Sequence, residues 1–88
     1  EINDIPQFEV HMRTPEEFDK MIRRQFDALY REGEESGRVM AICIHPFLIG
    51  LPHRIECLNS ALEYITGRDG VWCATGSEII EHYLAFLV

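Results

Sequence analysis

The chain has 88 residues, 47% of them apolar, and 15 acidic side chains against 8 basic ones give a formal net charge of -7. That length fits one small domain, which buries roughly two-thirds of its unfolded surface, and the apolar fraction excludes an ordinary disordered tail. The acidic balance leaves no basic stripe for nucleic acid or an anionic membrane surface, and no apolar run approaches the ~20 residues that cross a bilayer.

Glu1 to Ile5, ending at Pro6, reads as the tail of a strand that begins upstream, and Gln7 to Arg13 reads as a loop. Thr14-Pro15-Glu16-Glu17 predicts a helix start. Thr14 can cap, Pro15 suits the first helical position, and Glu17 closes the capping box. Phe18, Met21, Ile22, Phe26, Leu29 and Tyr30 then recur at helical spacing and predict a buried stripe running to about Gly33. Arg23 and Arg24, with Asp19 and Asp27 nearby, predict a salt-bridged outer face. Glu34 and Glu35 read as a solvated helix end.

Val39 to Ile44 is apolar on both faces and predicts a strand of a parallel sheet covered on both sides. It ends in His45-Pro46, and a Gly/Pro loop follows. Pro52 opens a second predicted helix, with Ile55, Leu58, Leu62 and Ile65 as its buried stripe and Gly67 as its stop. Arg68-Asp69-Gly70 reads as a turn, and Val71 to Ala74 as a short strand with Trp72 and Cys73 on opposite faces. Thr75-Gly76-Ser77-Glu78 is a second capping box before a helix carrying Ile79, Ile80, Tyr83, Leu84 and Leu87.

The expected order is β-α-β-α-β-α with parallel strands, an α/β arrangement in which residues 1–88 form one segment. Two or three parallel strands leave open edges. The chain is therefore expected to be a piece of something larger, or to pair with another copy of itself. Cys43, Cys57 and Cys73 are an odd, widely spaced set in apolar contexts. They suit packed thiols in a reducing, cytoplasmic compartment.

His45 is the first candidate for chemistry. A histidine at the C-terminal end of a strand sits where α/β enzymes present catalytic groups. Imidazole ordinarily titrates near neutrality, which suits a general acid or base. The bland alternative, at even odds, is a histidine bonded to backbone. His53 and Arg54, at the start of the second helix, could meet an anionic or ureide carbonyl group, although a solvent-facing or paired Arg54 is the commoner case. Trp72 could wall a substrate pocket or fill a core. His11, His45, His53 and His82 lack metal-ligand spacing, so no metal site is expected within the chain.

The stretches IHPFLIGLPHR and ALEYITGRDGVWCATGSEIIEHY carry a further signal. The combination of His45-Pro46, Ile49-Gly50, Pro52-His53-Arg54, Asp69-Gly70-Val71-Trp72 and Ala74-Thr75-Gly76 resembles the C-terminal part of the polysaccharide deacetylase family, nearest its allantoinase-like, cyclic-imide-hydrolysing branch. The resemblance runs from about Glu1 to Tyr83. It implies the last third of a distorted (β/α) barrel, the TIM-like architecture of a hydrolase of non-peptide C–N bonds. Its substrates would be N-acetylated sugars or cyclic ureides and imides. It implies that His45 protonates the leaving amine and that Asp4 orients His45. Cys43 stands where the family has an acyl-pocket leucine, and Ile5 where it has a tryptophan after the aspartate. The substrate-binding candidates are therefore Cys43, from the resemblance, and Arg54 and Trp72, from their positions in the chain. The family's base and its metal ligands lie upstream. The resemblance thus implies no cofactor within this chain and leaves room for a divalent metal, zinc, in an N-terminal part. The chain alone would hold half an active site. The alternative is a stand-alone α/β interaction module, or a ureide-binding protein using His45, Arg54 and Trp72 without turnover.

Overall fold

The computed structural model describes residues 2–87. A π-helical turn, Pro6–Val10, precedes three α-helices: α1, Pro15–Glu32; α2, Ile55–Thr66; and α3, Gly76–Leu87. Helix α1 begins as its sequence dictates. The Glu17 N–H donates to Thr14 Oγ1 (3.1 Å) and the Thr14 N–H to Glu17 Oε1 (2.7 Å), so two otherwise orphaned donors are satisfied reciprocally. Helix α3 opens with the same reciprocal pair between Thr75 and Glu78. Pro52 lies in a turn, and α2 itself starts three residues later than the sequence suggests. Gly70, at φ +82°, supplies the left-handed residue of the turn after α2.

Phe18 and Ile22 of α1, one turn apart, are fully buried and pack with Leu58 and Ala61 of α2. Ile2, Phe8, Leu48 and Ile49 close the same cluster from outside the three α-helices. Phe8 meets Phe18 with ring centroids 5.3 Å apart, so the segment expected to be a plain loop carries a core residue. Polar clasps fix the α1–α2 angle at the surface. Arg23 donates to Ser60 Oγ (2.6 Å) while paired with Asp19 (2.7 Å), and the Tyr64 hydroxyl donates to Asp27 (2.6 Å). Asp27 is thus used by a tyrosine rather than by the expected arginine.

The expected α/β segment, and with it the barrel third, is corrected by the structure: no strand and no sheet form among the described residues. The 39–44 stretch is extended but largely exposed, with Val39 62% and Ile44 48% accessible. One isolated parallel bridge joins Asn3 and Cys43, with the Asp4 N–H donating to the Cys43 carbonyl (3.1 Å) and the Cys43 N–H to the Ile2 carbonyl (2.9 Å). Of the strand tail expected over Glu1 to Ile5, Glu1 lies outside the described residues, and the chain turns helical at Asp4. Val71 to Ala74 forms no bridge with any of the described residues, and Trp72 and Cys73 are both exposed. A helix closes its backbone hydrogen bonds locally, whereas a strand needs a partner along its whole length. Two short extended stretches meeting at one residue pair cannot propagate a ladder.

Cysteine packing also departs from expectation. Cys43 and Cys73 are exposed and only Cys57 is half-buried; all three are free thiols. Helix α3 buries none of its described residues. Ile80, Tyr83, Leu84, Phe86 and Leu87 all stand more than half exposed. No helix among the described residues is long and apolar enough to cross a membrane.

Candidate active site

The one bridge between distant segments places Asp4 beside His45. Asp4 is fully buried, the only polar residue in the core among the described residues. Burying a carboxylate is costly unless its lone pairs are used, and here three donors use them. Oδ2 accepts the His45 backbone N–H (2.8 Å) and the Ile49 N–H (3.3 Å), while Oδ1 lies 2.7 Å from His45 Nδ1. An ionised carboxylate only accepts, so Nδ1 carries the hydrogen. The opposite ring nitrogen, Nε2, has no partner among the described residues, on a side chain that is 35% exposed. Asp4 therefore fixes both the backbone and the ring of one histidine.

Local chain geometry makes this possible. After His45-Pro46 the backbone folds back: the Leu48 N–H donates to the His45 carbonyl (3.0 Å) and the Leu51 N–H to that of Leu48 (3.3 Å). The fold-back buries Leu48 and Ile49 and aims the Ile49 N–H at Asp4. An open depression of about 460 Å³ lies beside His45, walled by Ile44, Pro46, Ile49, Gly50, Ile55 and Leu58. Its walls are apolar, and His45 is the one titratable group among them.

The other candidate residues are distributed unevenly. Cys43, two residues before His45, supplies the backbone bridge to Asn3, and its thiol is exposed. Arg54 lies at the start of α2, but its guanidinium stacks over the Phe8 ring at 4.7 Å and Nη1 donates to the Leu48 carbonyl (3.4 Å). It braces the back of the His45 turn. Trp72 is exposed, stacks edge-on against His82 of α3 at 5.6 Å, and does not line the depression. The structure thus joins Asp4, His45 and the Cys43 backbone, engages Arg54 indirectly, and leaves Trp72 apart.

Two contributors went unread in the sequence. The Ile49 N–H carries no sequence signal, because a backbone donor is shared by nearly all residue types. Phe8 was concealed by its polar neighbours, although an aromatic in a short loop is a reasonable marker of a core contact.

The residues present do not fit a metal. No three His, Cys, Asp or Glu side chains gather at metal-holding range among the described residues. The carboxylate of Asp4 is already spent on three donors.

A Schizosaccharomyces pombe protein described as "Putative polysaccharide deacetylase" is 38% identical to this chain over 71 residues. The match takes in 80% of this chain and 22% of that protein, so the chain spans less than a quarter of the length of the relative it matches. No family model matches the chain. No solved structure matches it either.

Proposed function

We propose that this chain is one segment of a polysaccharide deacetylase-like hydrolase of non-peptide C–N bonds, in which His45 is the general acid and Asp4 its positioning partner. The observation that carries the reading is the fully buried Asp4 carboxylate bonded to both the backbone and the ring of His45. Similarity to the S. pombe protein over 71 residues supports the reaction class.

The chemistry follows from the ring. When water has added to a carbonyl, the C–N bond breaks only if the nitrogen leaves protonated, because an amide anion is a very poor leaving group. With Nδ1–H committed to Asp4, Nε2 is the atom from which His45 delivers that proton. Activation of the attacking water falls to groups outside residues 2–87. A positioned acid contributes about 10²–10⁴-fold to such a step.

Within this class, a compact cyclic ureide or imide is the substrate we favour over an N-acetylated sugar chain. The likeness of the Pro46 to Arg54 loop to the ureide branch supports it. So does Cys43 in place of the acyl-pocket leucine. The test is a two-substrate assay on the complete enzyme. Ring opening of a cyclic ureide or imide without acetate release from N-acetylglucosamine oligomers is the expected result. Activity on neither would remove the hydrolase reading.

A second reading, an interaction module without turnover, draws on the exposed apolar face of α3. It is favoured if the chain forms a stable complex with itself or another protein and His45→Gln changes nothing measurable.

A further inference from the structure

Gly50 stands five residues from His45, and its backbone runs against that of Pro46. A Cβ placed on Gly50 would lie 2.6 Å from the Pro46 carbonyl oxygen, 2.8 Å from Pro46 Cα and 3.1 Å from its carbonyl carbon. All three are backbone atoms, so no side chain can swing aside to make room. The other glycines meet nothing closer than 3.2 Å, which makes Gly50 the tightest of the set. Pro46 is joined directly to His45, and the His45 and Ile49 N–H groups flank the contact and converge on one oxygen of Asp4.

We infer that Gly50 is a positioning residue: the absence of its side chain lets the 45–51 turn close far enough for Asp4 to grip both ends of it, and this sets the aim of the His45 ring. Any side chain at position 50 pushes Pro46 outward. Either the Ile49 N–H or the His45 N–H then leaves Oδ2, and the 2.7 Å contact between Nδ1 and Oδ1 opens. The functional part of the inference rests on the proposed role of His45; the geometric part does not.

The test is Gly50→Ala in the full chain, labelled with 15N-histidine, with Gly67→Ala as control because its added Cβ meets only the Glu63 carbonyl at 3.3 Å. In the parent and in Gly67→Ala, the His45 ring shows a protonated, hydrogen-bonded Nδ1. In Gly50→Ala that signal is lost while the helical circular dichroism is kept. In the complete enzyme, kcat falls by about 100-fold, the usual penalty of a displaced catalytic group, with KM within about twofold. An unchanged Nδ1 signal in a folded Gly50→Ala protein would overturn the inference. A lost signal with unchanged turnover would instead overturn the acid role of His45. Should Gly50→Ala not fold, the double variant Pro46→Gly/Gly50→Ala frees the obstructing backbone. It is expected to regain its helices without the Nδ1 signal. A double variant that stays unfolded, or that folds with the signal intact, also overturns the inference.

Discussion

Replacing Asp4 separates what its carboxylate does for stability from what it does for the histidine. In Asp4→Ala the Ile49 N–H is left buried and the His45 N–H part-buried, both without acceptors. An unsatisfied buried donor costs about 1–3 kcal/mol. Removing a buried charge returns part of that cost, so a net loss of about 2–4 kcal/mol is expected. In Asp4→Asn the amide oxygen can take the place of Oδ2 and keep both backbone bonds. The amide NH₂ then faces Nδ1, which must become an acceptor, and the ring hydrogen moves to Nε2. Stability should fall by only about 1 kcal/mol, the worth of one ordinary hydrogen bond, whereas turnover should fall by about 10²–10⁴-fold, because a neutral amide does not stabilise the imidazolium that donates from Nε2 as a carboxylate does. Urea unfolding followed by circular dichroism reads the first quantity, and 15N-histidine spectra read the second. If Asn destabilises as much as Ala, or if Nδ1 keeps its hydrogen in the Asn variant, the geometry derived for the pair is wrong.

Three further outcomes follow from the same structure. Phe18 is fully buried, so Phe18→Ala should lower unfolding stability by about 3–5 kcal/mol; a loss under about 1 kcal/mol would mean that the α1–α2 core is not as described. The Thr14 N–H, above all, holds the Glu17 carboxyl below its ordinary range. Its contribution to α1 is therefore complete above the ordinary glutamate value and disappears as pH drops through the lower, folded one, so acid titration of helicity should lose a component in Glu17→Gln. Burial first, and then the nearby Glu16 and Asp19 carboxylates, push the Cys57 thiol up. Cys43 and Cys73 are exposed, so iodoacetamide should label both before Cys57, in an order that mass spectrometry reads directly.

Local signals in the sequence were legible where the physics is local. Thr14 and Glu17, and Thr75 and Glu78, form the capping boxes that their spacing predicts, and Gly33 and Gly67 follow the last residues of α1 and α2. Of the six-residue stripe expected on α1, Phe18, Ile22 and Phe26 are buried and Met21 and Leu29 partly so, while Tyr30 is exposed. Resemblance also pointed to Asp4 and His45, which the structure brings into contact across 41 positions of sequence. The sheet failed because an apolar run such as Val39 to Ile44 states that burial is wanted without stating what will bury it. With a partner at Cys43 alone, the run stays extended and exposed. Helix α3 shows the same limit: its apolar period is real, yet its described face remains open. Trp72, read as either a pocket wall or a core residue, instead stands exposed with its ring edge-on to His82 of α3.

The central claim is that His45 gives its proton to a departing nitrogen, and leaving-group dependence tests it most directly. The complete enzyme and its His45→Gln variant would be compared on two cyclic imides of one ring, one with an N-alkyl and one with an N-nitrophenyl substituent. The N-alkyl nitrogen needs a proton to depart, and the N-nitrophenyl nitrogen needs it far less. If the account holds, the variant loses about 10²–10⁴-fold on the N-alkyl imide and far less on the N-nitrophenyl imide. Equal losses on both substrates, or no loss on either, would contradict it.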